Sequence, residues 1–214
     1  LVMLAVVLLW SWQPGWGLLF FLAYSAWHFG ETDFNHWHMP QPFAQQLYGW
    51  GVLGWILSSH PAEWVYYLQA LGVTYVPPTE PLLWLSGVVL LWTGLLVPAH
   101  RLRSYAATML VLLAGAFLPL LLAFGFYFLG LHSRRGWQHL QDRLQLSQRA
   151  LFKKALPFSL GGWLSFAGLG LAAQLCSFSF EGWIPAFFVF LAAVSAPHIV
   201  LMSGLYRRTT KAKP

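Results

Sequence analysis

The apolar runs of this chain constrain its fold more than any other feature of the sequence. They occupy residues 1–12, 17–30, 44–60, 81–98, 105–131, 156–178 and 183–205, and a weaker run occupies 62–76. The first is cut off by the start of the chain and the second is short. Because backbone groups cannot stay unpaired in lipid, we predict an all-α fold: a polytopic transmembrane helix bundle of about seven to eight spans.

Composition supports a membrane protein and limits which side chains could hold a metal. Hydrophobic residues make up 58% of the chain and charged residues 8%, whereas about a quarter of a soluble globular domain is charged. The single cysteine, Cys176, excludes an internal disulfide and a thiolate cluster, so nitrogen and oxygen must hold any metal. Residues 1–206 are predicted to form one transmembrane domain, with a basic tail at 207–214.

The basic residues predict how the chain is oriented. Residues 132–155 contain six Lys and Arg residues, and four more follow Tyr206. Cytoplasmic loops carry such an excess, so both segments are predicted to be cytoplasmic. We expect no nucleic-acid binding, because topology explains the net charge of +6. Each crossing reverses the side of the membrane on which a helix ends. His28 therefore lies on the same side as His132 and His198 only if 62–76 also crosses the membrane.

Three histidines, His28, His132 and His198, lie within or at the ends of apolar runs. An ionisable ring is costly to leave unpaired in hydrocarbon, and a shared metal ion would satisfy all three. Neutral imidazole suits Fe, Zn and Cu, and histidine-rich sites with open positions are where ferrous iron meets oxygen. The pattern therefore indicates an intramembrane metal site.

Each of these histidines also has a simpler interpretation. His28 is followed by Glu31 and Asp33, which could accept its ring N–H or ligate the metal directly, but could equally be solvated at the interface. His198 follows Pro197 and could donate to a carbonyl group that the proline leaves free.

His139 follows His132 by seven residues, which places it on the same helical face but about 10 Å along the axis. Both could bind one ion only if the helix breaks at Gly136; otherwise His139 is predicted to be an outer or interfacial residue. The remaining histidines fall at predicted loops or turns and are expected to be solvated: His36, His38, His60 and His100.

Three motifs occur in order along the chain: His-Phe-Gly-x-x-Asp at 28–33, Tyr-Phe-x-x-x-His-Ser at 127–133 and Pro-His at 197–198. In these motifs the chain resembles the Brp/Blh family of membrane β-carotene 15,15'-dioxygenases. The resemblance implies an Fe²⁺ enzyme that adds O₂ across the central double bond of β-carotene to give two retinal molecules. It also implies that His28 and His132 are iron ligands and that His198 is a further family histidine.

Residues beside these ligands are predicted to support them as outer partners: Glu31, Asp33 and Ser133. Two departures from the family pattern matter. An earlier His-Gly-x-x-Asp motif is absent, and because the chain starts at Leu1 inside an apolar run, we expect that motif upstream. The family commonly has a second histidine four residues after His132, where this chain has Gly136. Either His139 or His198 substitutes for it, or this is a divergent member.

A long polyene dissolves only in the bilayer, so its cleavage needs an apolar tunnel with aromatic walls that lipid can reach. The aromatic residues nearest the predicted ligands are the candidates for this lining: Trp27, Phe124, Tyr127 and Phe128. A competing hypothesis is a non-catalytic membrane subunit, in which two histidines bind haem axially or merely pack in a carrier.

Overall fold

The computed structural model describes residues 1–37, 41–175, 177 and 180–210. Three features used above lie outside these residues: His38, Cys176 and the last four residues of the basic tail. The regular structure of the described residues is helical, with no strand among them, which confirms the predicted all-α class.

The helices are numbered in chain order. They are α1 (Val2–Trp12), α2 (Pro14–Trp37), α3 (Pro42–Ser58), α4 (Pro61–Ala70), α5 (Thr79–Leu95), α6 (Leu102–Gly115), α7 (Leu120–Tyr127), α8 (Ser133–Leu144), α9 (Gln148–Leu175) and α10 (Phe180–Thr210). A 3₁₀ turn at Ala99–Arg101 precedes α6, and a π-helical turn at Phe128–His132 joins α7 to α8. Proline begins three helices, where its missing N–H costs no hydrogen bond.

Two predicted spans differ from the structure. The run 105–131 is divided between α6 and α7, because Pro119 lacks the N–H that a continuous helix needs and instead precedes the first residue of α7. In the run 62–76, α4 has ten residues, about 15 Å of helix, or half the hydrocarbon thickness. A helix of this length does not span the hydrocarbon core, so the crossing of the membrane by 62–76 stays a prediction.

Among the described residues, two segments are long and apolar enough to cross a membrane, Gln148–Ala172 and Pro185–Gly204, and α1 and α5 are shorter apolar helices. None of the most apolar window of the first segment is buried. An apolar helix without a protein cover is unfavourable in water and favourable in lipid. These two segments support a membrane protein, and the larger number of seven to eight spans stays a prediction.

Helix α2 lies at the centre of the bundle and packs against α1, α3, α8 and α10. It approaches α3 closely at two glycines. A Cβ at Gly30 would collide with the carbonyl group of Gln45, and one at Gly49 with that of Ala26. The two helices can meet this closely only because both positions lack side chains.

His60 is buried, so the prediction that it is solvated is wrong. Its Nδ1 lies 2.6 Å from the carbonyl oxygen of Ile56, and its Nε2 lies 2.7 Å from that of Leu118. Nearby, Glu63 accepts a hydrogen bond from the backbone N–H of Leu120. The start of α4 thus fixes the turn between α6 and α7, which covers the ring. His100 is exposed, as predicted.

Replacement of His60 by alanine is expected to lower the free energy of unfolding by about 1–3 kcal/mol, because the carbonyl group of Leu118 loses its partner in a buried position. Thermal unfolding in detergent would measure the change. His100→Ala, at an exposed site, is the matched control and should leave the melting temperature unchanged. Equal melting temperatures for both variants would contradict this role of His60.

Candidate functional site

The structure brings three of the predicted ligands together. His28 comes from the middle of α2, His132 from the π turn and His198 from α10. The ring centroid of His28 lies 4.9 Å from that of His132 and 5.5 Å from that of His198, and both pairs meet edge to face. His28 and His132 are buried, and His198 is exposed at the outer side of the cluster.

Two ring nitrogens of this cluster are buried without a hydrogen-bond partner, Nδ1 of His28 and Nδ1 of His132. Buried polar atoms are nearly always paired, so two orphaned acceptors or donors this close together call for a common partner. Imidazole nitrogen is a ligand for Fe, Zn and Cu, and the donor chemistry therefore fits a metal. Within the described ranges, no three His, Cys, Asp or Glu side chains form a preassembled metal-binding group.

Aromatic rings fix the orientation of His132. The ring of Phe29 lies 4.5 Å from it, centroid to centroid, and that of Phe128 stacks on it at 5.4 Å. The π turn that carries His132 was not predicted from the sequence. Such turns occur frequently at functional sites.

Behind the histidines lies a buried polar network centred on Asp33, which is completely inaccessible to solvent. Its Oδ2 accepts hydrogen bonds from the hydroxyl groups of Tyr48, at 2.6 Å, and Tyr127, at 3.0 Å. Nη1 of Arg135 forms an ion pair with the same oxygen at 2.7 Å. The ring of Tyr127 also stacks near His132, with centroids 6.4 Å apart, so Asp33 is linked to His132 through this tyrosine.

Arg135 is a buried charged residue beside the cluster that sequence reasoning missed, since it was interpreted only as a topology signal. Its Nη2 donates to Oγ1 of Thr108 at 2.6 Å, and its guanidinium group lies 5.1 Å from the ring centroid of Trp37. A basic residue three positions after His132 lies about one helical turn further on, next to the site. That spacing was the available signal.

The other two predicted outer partners are Glu31 and Ser133. Glu31 accepts a hydrogen bond from the hydroxyl group of Ser203 at 2.6 Å, which ties α2 to α10. Ser133 is half-buried at the first residue of α8. A supporting role of Glu31 or Ser133 toward a metal ligand stays a prediction.

His139 lies apart from the three clustered rings, because α8 continues through Gly136 without a break. Its Nε2 lies 3.1 Å from the carbonyl oxygen of Thr32, and its ring centroid lies 6.0 Å from that of His36. Burial lowers the pKa of His139, and the carbonyl oxygen of Thr32 accepts a hydrogen bond from its ring. The structure thus places His139 as a tie between α8 and α2.

An apolar cavity of about 280 Å³ adjoins the histidine cluster. Its walls come from α2, α3, α4, α7, the π turn and α10. Phe124 and Phe128 line it, and their rings stack on each other at 5.7 Å. Since Phe128 also stacks on His132, one aromatic wall separates the cavity from the cluster. The other two predicted lining residues lie elsewhere: Trp27 is exposed, and Tyr127 is directed to Asp33.

Comparison with known proteins covers nearly the whole chain. The sequence model of a family described as Beta-carotene 15,15'-dioxygenase matches residues 1–206. A beta-carotene 15,15'-dioxygenase from the uncultured marine bacterium 66A03 is 27% identical over 212 residues, which cover 95% of this chain and 77% of that protein. No solved structure matches the chain.

Proposed function

The chain belongs to the beta-carotene 15,15'-dioxygenase family, and we propose that it cleaves β-carotene at the central 15,15' double bond with O₂ to give two retinal molecules. The observation that carries the proposal is the apolar cavity bounded by Phe128, whose ring stacks on His132. A cavity of this kind takes a hydrocarbon ligand, and the adjoining imidazoles offer a place for an oxygen-activating metal.

The proposed cofactor is Fe²⁺, held by the rings of His28, His132 and His198. The orphaned Nδ1 atoms of His28 and His132 support this assignment, because each would gain a partner on metal binding. Ferrous iron would supply the binding and activation of O₂. His139 is left outside the ligand set, since its Nε2 is engaged with the Thr32 carbonyl group.

The protein's own part in the reaction is to position the polyene and exclude water. Phe124 and Phe128 form a stacked wall against which the centre of a conjugated chain can lie beside the cluster. Among the residues that the structure describes, the remaining lining is nearly all apolar and includes no charged group. A carotenoid would therefore pass from the bilayer into the cavity without acquiring a polar partner.

We place the chain in a bacterial plasma membrane with its C-terminus in the cytoplasm. The exposed basic residues at the end of α8 and the start of α9 support this orientation: Arg143, Arg149, Lys153 and Lys154. A reporter fused after Pro214 is expected to be active only as a cytoplasmic fusion. A periplasmic signal would overturn the orientation.

The test of the proposed function is expression of the full-length protein in cells that accumulate β-carotene. We expect loss of the pigment and formation of retinal. A visible spectrum of the purified protein distinguishes the competing haem subunit, because haem gives an intense Soret band and a histidine-bound ferrous ion does not. Persistent pigment together with a Soret band would favour the haem subunit over the dioxygenase.

Replacement of Gly136 by histidine is expected to strengthen Fe²⁺ binding by roughly tenfold. This residue lies four positions after His132, where the resemblance described above implies a second family histidine, and a Cβ there meets no atom within 4 Å. The control is Gly136→Ala, which should stabilise α8 by about 1 kcal/mol without changing Fe²⁺ affinity. Equal Fe²⁺ affinity for the two variants would show that position 136 does not face the metal.

A further inference from the structure

We propose that Arg135 is a positioning residue, whose ion pair with Asp33 holds the helix that carries His28 against the turn that carries His132. The role rests on the proposed metal site. Asp33 follows His28 on α2, and Arg135 follows His132 into α8. Each partner of the ion pair is thus attached to one of the two buried ligand-bearing segments.

The pair is almost fully buried. Nη1 of Arg135 lies 2.7 Å from Oδ2 of Asp33, and the two side chains are 5% and 0% exposed. Coulomb attraction is strong at this distance where water is excluded, but so is the cost of removing both charges from water. A buried ion pair therefore adds little to the free energy of unfolding. It fixes the geometry of the two segments relative to each other.

The guanidinium group makes contacts that an ammonium group could not reproduce together. One nitrogen pairs with Asp33 on α2, the other donates to Thr108 on α6, and the planar group lies 5.1 Å from the ring centroid of Trp37. Arginine presents such donors in a rigid fork, whereas lysine is a point charge on a flexible stem. The network therefore depends on arginine and not only on positive charge.

The ion pair also acts on His132 through Tyr127. The hydroxyl group of Tyr127 donates to the carboxylate that Arg135 neutralises, and its ring stacks near that of His132. Without Arg135, the charge of Asp33 would be left with the hydroxyl groups of Tyr48 and Tyr127 alone. Either the carboxylate moves towards water or it is protonated, and in both cases the support of His132 changes.

The test compares Fe²⁺ affinity, by anaerobic titration of the full-length protein in detergent, for Arg135→Lys, Arg135→Met and the matched control Arg134→Met. Arg134 precedes Arg135 on α8 and is exposed. We expect both Arg135 variants to bind Fe²⁺ about 10–100-fold more weakly, the range found for residues that support metal ligands, and the control to stay within about twofold of the parent protein. If Arg135→Met does not fold, Arg135→Lys still tests the proposal. It keeps the positive charge and removes only the planar arrangement of the guanidinium donors.

The double variant Asp33→Leu/Arg135→Met separates positioning from stability. Removing both charges should restore the melting temperature towards that of the parent, while Fe²⁺ affinity stays reduced. If affinity returns together with the melting temperature, or if Arg135→Lys binds Fe²⁺ as the parent does, the positioning role is overturned. A parent protein that binds no Fe²⁺ would instead refute the metal site itself, and the positioning role with it.

Discussion

Replacing either His28 or His132 by alanine is expected to lower Fe²⁺ affinity and the rate of β-carotene cleavage by at least about a hundredfold, beyond the effect typical of residues that only support ligands. Both rings are buried, lie 4.9 Å apart and have an orphaned Nδ1. Removing one ring from a site of three or four ligands should lower metal affinity far more than it lowers the stability of the fold. Metal analysis of the purified variants measures the loss.

Two histidines serve as controls for this experiment. His100 is exposed and far from the cluster in sequence, so His100→Ala should keep its iron and its activity. His139→Ala should have a smaller effect than His132→Ala, because its Nε2 contacts a backbone carbonyl group outside the three clustered rings. A stoichiometric amount of iron in His28→Ala or His132→Ala would contradict the assignment of the ligands.

Filling the cavity is expected to abolish cleavage without removing the metal. Gly125 lines the cavity, and a Cβ at this position meets no atom within 4 Å, so the ring of Gly125→Phe can enter the space without displacing the wall. We expect kcat/KM for β-carotene to fall at least about tenfold, since a ligand site of this size leaves no room for an added phenyl group. Fe²⁺ content should stay at the parent level.

The matched control is Gly161→Phe. Gly161 is an exposed glycine of α9, has open space around its Cβ and does not line the cavity. It tests whether an added aromatic ring on a surface helix disturbs the protein in general. If Gly125→Phe cleaves β-carotene as well as Gly161→Phe does, the substrate does not bind in this cavity.

The helical class and the meeting of three histidines could be predicted because both follow from the cost of polar groups in hydrocarbon. Backbone groups must be paired across lipid, and long apolar runs pair them within single helices. An ionisable ring in an apolar run needs a partner. This argument selected His28, His132 and His198 without any knowledge of how the helices pack, and the structure places them side by side. Pro119, where the run 105–131 divides, could also have been recognised from the sequence.

The supporting residues could not be predicted because their roles depend on tertiary contacts. His60 follows a helix end, which is typical of a solvated residue, yet the turn between α6 and α7 covers it. Arg135 contributes to a positively charged segment, and only its spacing of three residues from His132 separates it in sequence from the exposed Arg134. Its role depends on Asp33, about 100 residues earlier in the chain and fully buried.

The most direct test of the dioxygenase assignment is the stoichiometry of the reaction with purified, iron-loaded, full-length protein. Oxygen consumption and the products from β-carotene would be measured together. Cleavage at the central double bond predicts two molecules of retinal and the uptake of one O₂ for each β-carotene consumed. Products of unequal length, or no oxygen uptake by a protein that retains its iron, would contradict central oxidative cleavage.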